Sequence, residues 1–290
     1  MQQQTILITG ANTGIGRATA EALAARGAHL VLAGRSRERT EPVLRAASEL
    51  APSEPEFLEL DLASLASVRR CAETFLRSDR RLDVLINNAG VAGSHSLTKD
   101  GFELAFGINH LGHFLLTQLL GPRLQASAPA RVVTVASAAH FRVQKLEFDA
   151  LTRPAATRSG FPEYAVSKLC NVLFSRELAK RWAGTGVTSY AVHPGVIASD
   201  IWRRLPRPVQ WLMGLFMQTP EQGARASVRC AVDPELAAVS GRYYDATGTE
   251  TKPSRLARDD ALAAQLWERS AQWVAPFAAP IDAGQPSESA

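Results

Sequence analysis

The chain is short of cysteine, of lysine and of long apolar runs, and each shortage excludes something. Three cysteines in 290 residues, Cys71, Cys170 and Cys230, are too few and too scattered for a disulfide framework or a metal knuckle. They read as small buried hydrophobes in a reducing compartment. No grouping of His, Cys, Asp and Glu has metal-ligand spacing, so no catalytic metal is expected. The longest apolar stretches, such as Leu111–Leu120 and Val209–Met217, reach roughly half the ~20 residues of a membrane helix. No basic segment leading into an apolar run opens the chain, which speaks against a secretory signal. A soluble, cytoplasmic protein is the expectation.

Lysine supplies only five of the 32 Lys and Arg residues, and the formal net charge is +4. That excess is spread from Arg17 to Arg269, and pairs such as Arg69-Arg70 and Arg80-Arg81 stand beside Glu73, Asp79 and Asp83. A nucleic-acid footprint would cluster on one stripe and carry a motif. Neither is present, so no nucleic-acid partner is expected.

What the chain does have is a rhythm. Short apolar runs at Thr5–Thr9, His29–Ala33, Glu56–Leu60, Val84–Asn87, Arg131–Ala136 and Val187–Val192 alternate with helix-length segments. Continuous apolar runs separated by helices indicate a parallel sheet covered on both faces. The alternation persists to about residue 245 without a linker or repeat. The fold class is therefore α/β: one doubly wound, Rossmann-type domain over 1–275, its parallel sheet flanked by helices on both faces. Residues 276–290, rich in Ala, Pro, Ser and Gly, read as a flexible tail.

The first run breaks into Gly10-Ala11-Asn12-Thr13-Gly14-Ile15-Gly16, and a helix follows from about Arg17 to Arg26. Strand, glycines, helix is the context in which backbone approaches a pyrophosphate at a positive helix end. A tight turn without ligand would use the same glycines. A site preferring NAD places an acid about 20 residues on, to bond the ribose 2′-hydroxyl. Here Ala33-Gly34-Arg35 stands there, with Arg37 and Arg39 adding positive field. A guanidinium suits a 2′-phosphate, so NADP(H) is expected, with NAD(H) still open.

Tyr164-Ala165-Val166-Ser167-Lys168 places a phenol and an ammonium at i and i+4 on one helix face. A lysine ~4–5 Å from the tyrosine, at an effective dielectric near 20, is worth about 3–4 kcal/mol. That would pull the phenol's pKa from roughly 10 toward neutrality. Such a tyrosine exchanges a proton with a carbinol or carbonyl oxygen as general acid/base.

With these residues in view, the sequence resembles the short-chain dehydrogenase/reductase family from Thr9 to about Leu266. The likeness rests on Thr9-Gly10-x3-Gly14-Ile15-Gly16, Asp61-Leu62, Asn87-Asn88-Ala89-Gly90, Asn109, Ser137, Tyr164-x3-Lys168 and Pro194-Gly195, in family order. Gly107-Ile108-Asn109-His110-Leu111-Gly112-His113-Phe114, His193-Pro194-Gly195, Thr219-Pro220-Glu221-Gln222-Gly223-Ala224 and Gly241-Arg242-Tyr243-Tyr244 look most like its retinol dehydrogenase-like and WW-domain oxidoreductase-like branch.

The resemblance implies a catalytic set of Asn109, Ser137, Tyr164 and Lys168. Ser137 would hydrogen-bond the substrate oxygen and Tyr164 would move its proton. Lys168 would lower the tyrosine's pKa and bond the nicotinamide ribose, and Asn109 would hold a water leading to Lys168. Cofactor contacts would come from Gly10, Asn12, Thr13, Gly14, Ile15, Gly16, Arg35, Asp61, Leu62, Asn88, Ala89, Gly90, Tyr164, Lys168, Pro194, Gly195 and Ser199. Taken singly, each has an ordinary structural role: Ser137 a strand cap, Asn109 a buried helix amide, Asp61 a turn residue. Two departures from the family pattern are Ala136 before Ser137, where serine is common, and a long interval of 26 residues between Ser137 and Tyr164. His110, His113 and His140 read as hydrogen-bonders rather than catalysts.

A segment of about 200–218, with Trp202, Trp211, Met213, Phe216 and Met217, falls where the family carries a flap over its substrate. It suits an apolar pocket wall, an amphipathic helix packed on the core, or weak contact with a membrane surface. The implied substrate is a small apolar aldehyde, ketone or secondary alcohol. The alternatives are a non-catalytic nucleotide-sensing protein and a nucleotide-sugar epimerase or dehydratase. The family resemblance also allows a homodimer, seated on the helices that hold Asn109 and Tyr164.

Overall fold

The computed structural model describes residues 3–195 and 219–281. Its strands are β1 (Thr5–Thr9), β2 (His29–Gly34), β3 (Glu56–Glu59), β4 (Val84–Asn87), β5 (Ala130–Val135), β6 (Val187–Val192) and β7 (Arg242–Tyr244). They form one sheet in the order β3-β2-β1-β4-β5-β6-β7, parallel throughout. Strand side chains alternate between faces, and both faces are buried. Ile6 and Ile8 of β1 join Leu30, Leu32, Ile86, Val133 and Tyr190 on one side. Leu7 joins Val31, Leu85, Val132 and Ala191 on the other. Burial of each such side chain is worth about 1.5–3 kcal/mol.

The first face is covered by α1 (Gly14–Ala24), α2 (Arg37–Leu50) and α7 (Pro220–Val232). The second is covered by α3 (Leu65–Arg77), α5 (Gly112–Ala126), α6 (Phe161–Arg181) and α8 (Asp260–Val274). A short α4 (Leu104–Phe106) enters α5 through a π-helical turn at Gly107–Leu111. The strand order reverses between β1 and β4, which places a crevice outside their carboxyl ends.

α8 lies across α5 and α6. Trp267 meets Phe114 edge-on at 5.0 Å and stacks on Phe174 at 5.9 Å. His110 Nε2 lies 3.0 Å from Ser270 Oγ, and Arg181 pairs with Glu268 at 2.6 Å. This finding bears on the expected homodimer. α8 packs against the helices that carry Asn109 and Tyr164, on which that pairing was expected to seat. Of the tail expected from Pro276, the part through Ile281 rests on the core. Arg69 Nη1 donates to the carbonyls of Phe277 and Ala279 at 3.0 and 2.7 Å, and Ile281 packs beside them. Among the described residues, no helix is long and apolar enough to cross a membrane.

Candidate active site

The glycine turn after β1 is shaped by what surrounds it. Gly10 has φ +68°, and a β-carbon there would lie 2.8 Å from Ala89 Cα. On Gly16 a β-carbon would lie 2.3 Å from the Gly10 carbonyl oxygen and 2.5 Å from Asn88 Nδ2. No side chain fits either position. Asn88 buttresses the turn from behind, its Nδ2 donating to the carbonyls of Thr9 and Gly10 at 2.8 and 3.1 Å.

Four helix starts among the described residues are closed by side chains. Ser36, Ser64, Thr219 and Asp259 each accept a backbone N–H at the start of α2, α3, α7 and α8. α1 differs. Its N-cap, Thr13, makes no such bond, and its first turn holds no acidic residue. A helix start left uncapped beside a glycine-rich turn is suited to receive an anion. Arg35, at the end of β2, stands exposed on the rim of the same cleft.

A buried chain of hydrogen bonds joins this turn to the π-helical turn. Thr9 Oγ1 accepts from the backbone N–H of Asn88 and Ala89, both at 3.0 Å, and lies 2.8 Å from His113 Nε2. His113 Nδ1 lies 3.0 Å from the Asn109 carbonyl oxygen, which cannot donate, so the ring carries its proton on Nδ1. Burial drives the His113 pKa down to about 4, which keeps the ring neutral. The Asn109 side chain is fully engaged. Its Oδ1 accepts from Val91 N at 2.8 Å, and its Nδ2 donates to Val91 O and Ser167 Oγ, both at 2.9 Å.

Ser137, Tyr164 and Lys168 converge from two elements, the end of β5 and α6. Ser137 follows β5 and caps a short 3-10 turn, Ala138–Arg142, by accepting from Ala139 N at 3.2 Å. Tyr164 and Lys168 project from α6. Lys168 is 4% exposed; its Nζ donates to the Val135 carbonyl at 2.8 Å and stands 5.7 Å from the Tyr164 ring centre. Burial draws its pKa down to about 8. Tyr164 departs from the sequence-based expectation. Burial raises its pKa, and the adjacent Ser137 hydroxyl is the group that works against the rise. The cause is geometric: the ammonium faces Val135 rather than the phenol oxygen, and burial disfavours charge on both groups.

All the residues expected from sequence line one continuous cavity of about 600 Å³, except Asn109 and Ser199. Asn109 lies just behind it: a β-carbon on Gly90 would sit 3.4 Å from both Asn109 Oδ1 and Lys168 Nζ. Ser199 and the expected flap at about 200–218 lie outside the described residues. Asp61 lines the cavity with its carboxylate engaged, accepting from Ala63 N and pairing with Lys99, both at 3.1 Å.

This arrangement has known counterparts. The sequence pattern described as short chain dehydrogenase matches residues 4–148. Human dehydrogenase/reductase SDR family member 13 is 47% identical over 282 residues, covering 93% of this chain and 73% of that protein. Human retinol dehydrogenase 12 is 46% identical over 277 residues, covering 93% and 85%. The chain belongs to the short-chain dehydrogenase/reductase family. Among solved structures, an uncharacterised protein from Mycobacterium paratuberculosis matches with a TM-score of 0.75 and 36% identity, over 94% of each chain. As a family member the protein is an NAD(P)-dependent oxidoreductase acting on CH–OH and C=O groups.

Within this short-chain dehydrogenase/reductase, two histidines do more than the sequence disclosed. His113 ties the glycine turn to Asn109, as described. His140 is wholly buried behind Ser137: its Nδ1 donates to the Ser137 carbonyl at 2.7 Å, and its Nε2 accepts from Ser254 N at 3.1 Å. Burial lowers its pKa, so it holds this bridge as a neutral ring. The available signal was a polar ring in an otherwise apolar stretch; one partner of each histidine lies more than 100 residues away.

Proposed function

We propose that this oxidoreductase prefers NADP(H) and interconverts an apolar alcohol with its aldehyde or ketone, with Tyr164 as general acid/base. The observation that carries the reading is the single cavity: the uncapped turn and Arg35 lie at one end, and Ser137, Tyr164 and Lys168 at the other. The residues fit the nicotinamide cofactor that the family uses. Gly10 and Gly16 hold backbone where side chains cannot go, and the free start of α1 would hold the pyrophosphate. Asn12, Thr13, Gly14, Ile15, Asp61, Leu62, Asn88, Ala89, Gly90, Pro194 and Gly195 line the rest of that path. Arg35 has no carboxylate partner among the described residues and suits a 2′-phosphate. Ser199, outside the described residues, completes the set.

NADPH supplies the hydride when bound, and NADP⁺ accepts it in the reverse direction. In reduction the Tyr164 hydroxyl donates its proton to the carbonyl oxygen while the carbon gains hydride, and the alcohol results. Ser137 donates a hydrogen bond to the same oxygen and stabilises the charge that gathers there. Lys168 stands beside Tyr164, where it would return the proton and would hold the ribose hydroxyls. With a pKa of about 8 it gives up and regains a proton near neutral pH. Val91, Ala138, Ala139 and Phe161 give the substrate end an apolar wall. The three buried, free cysteines accord with a cytoplasmic setting.

The test is the ratio of kcat/KM with NADPH to that with NADH, measured on a panel of apolar aldehydes and ketones. Wild type should favour NADPH. Arg35→Asp should lower that ratio by about tenfold or more, in keeping with the loss of a charge-assisted contact. Equal losses with both cofactors would remove the NADP(H) preference from the account.

A further inference from the structure

The charges that line the cavity leave one unexplained. Its ionisable side chains, among the described residues, include Arg35, Asp61, Lys168 and Arg142. Asp61 is paired with Lys99. Lys168 is buried against Val135. Arg35 lies at the far end, beside the glycine turn. Arg142 is different: it closes the 3-10 turn that Ser137 opens, so it stands on the reacting side of the cleft.

Its setting is specific. The guanidinium lies over the Phe161 ring at 5.4 Å, and that ring is 5.9 Å from the Tyr164 ring. Stacking engages the face of a guanidinium and leaves its N–H donors, which lie in the plane, free for a planar anion. Two acids in the flanking segments are already engaged. Glu147 pairs with Lys145 at 3.0 Å, and Glu163 accepts from Thr157 N and Oγ1 at 3.0 and 2.6 Å. Between Arg142 and the reacting groups the wall is Ala138, Ala139 and Phe161. Phe161 thus neighbours both the proton donor and Arg142, a cation with no carboxylate partner among the described residues.

We infer that the substrate is amphiphilic, with a carboxylate on the end away from its reacting carbonyl, and that Arg142 receives that carboxylate. The inference rests on the proposed carbonyl–alcohol interconversion and narrows its substrate class. The two ring contacts place the guanidinium within reach of a medium-length apolar stem that starts at the reacting carbonyl. Arg142 selects substrate; it takes no part in moving hydride or proton.

The test compares medium-chain aldehydes of equal length that end in a carboxylate or in its methyl ester, assayed by NADPH oxidation. Wild type should favour the acid by roughly tenfold in kcat/KM, as expected for one charge-assisted pair at a partly open site. The preference should shrink as ionic strength rises from 0.05 to 0.5 M, over which the Debye length falls from roughly 14 Å to roughly 4 Å. In Arg142→Gln the acid-to-ester ratio should fall to about one, mainly through KM for the acid. In Arg142→Glu the ester should be favoured. NADPH affinity, read by protein fluorescence, should stay within about twofold of wild type. An enzyme that reduces the ester but shows no preference for the acid overturns the inference and leaves the carbonyl-reductase reading standing. Weakened NADPH binding in Arg142→Gln also overturns it, by assigning Arg142 to the cofactor. Failure to reduce either aldehyde, with NADPH still bound, sinks the proposed function and this inference with it.

Discussion

Lys168 should make the protein less stable than it would be without the charge. The side chain is 4% exposed, and burial draws its pKa from 10.5 down to about 8. Each pKa unit corresponds to about 1.4 kcal/mol, so holding the ammonium costs the native state about 3 kcal/mol at neutral pH. The sign follows from proton counts. The unfolded chain keeps this proton up to about pH 10.5 and the native chain only up to about 8. Between those values the unfolded state binds more protons, so stability rises with pH, and below pH 8 the whole penalty remains. Lys168→Met removes the charge and keeps most of the stem. The Val135 carbonyl is not orphaned, because Asn171 Nδ2 also donates to it at 3.0 Å. Urea unfolding at pH 7 should therefore show Lys168→Met more stable than wild type by about 2–3 kcal/mol. The gap should shrink to under about 1 kcal/mol at pH 10. A variant less stable at pH 7, or a gap unchanged at pH 10, would refute the reasoning.

The buried histidines set the opposite edge of the pH range. Burial draws His113 down to about 4 and His110 to about 3, whereas the unfolded chain protonates near 6.5. Their contribution is present above pH 6.5 and is lost as pH falls toward 4. Stability measured between pH 7 and 5 should drop, and His113→Gln should reduce that drop while lowering stability at pH 7 by about 1–3 kcal/mol through the broken Thr9–Asn109 link. Light scattering should return the mass of one chain, 31.3 kDa, because α8 covers α5 and α6. A stable dimer would place the interface elsewhere or require α8 to move.

The strands were the most legible part of the sequence. The runs at Thr5–Thr9, Val84–Asn87 and Val187–Val192 are β1, β4 and β6 residue for residue. A strand buried on both faces has no polar side to blur its ends. α1 begins at Gly14, three residues ahead of the start at Arg17 that was read from the sequence, because the glycines of its first turn carry no periodic signal. β7, three residues long, carried too little pattern to be named a strand. The glycine turn, Ser137, Tyr164 and Lys168 could be read because their spacing is local or their order follows a family pattern. The partners of His113 and His140 could not, since Thr9 and Ser254 reach them only through the fold. The direction of the Tyr164 pKa shift was not legible for a related reason. Spacing at i and i+4 fixes which face two side chains share, but not which way an ammonium points.

The central claim is that Tyr164 delivers the proton as hydride reaches the carbonyl carbon. It is tested most directly by NADPH oxidation at saturating apolar aldehyde, in wild type and in Tyr164→Phe, with NADPH affinity measured on both. The account predicts a loss of about 10²–10⁴ in kcat with cofactor affinity essentially kept. Tyr164→Phe turning over within tenfold of wild type would contradict it.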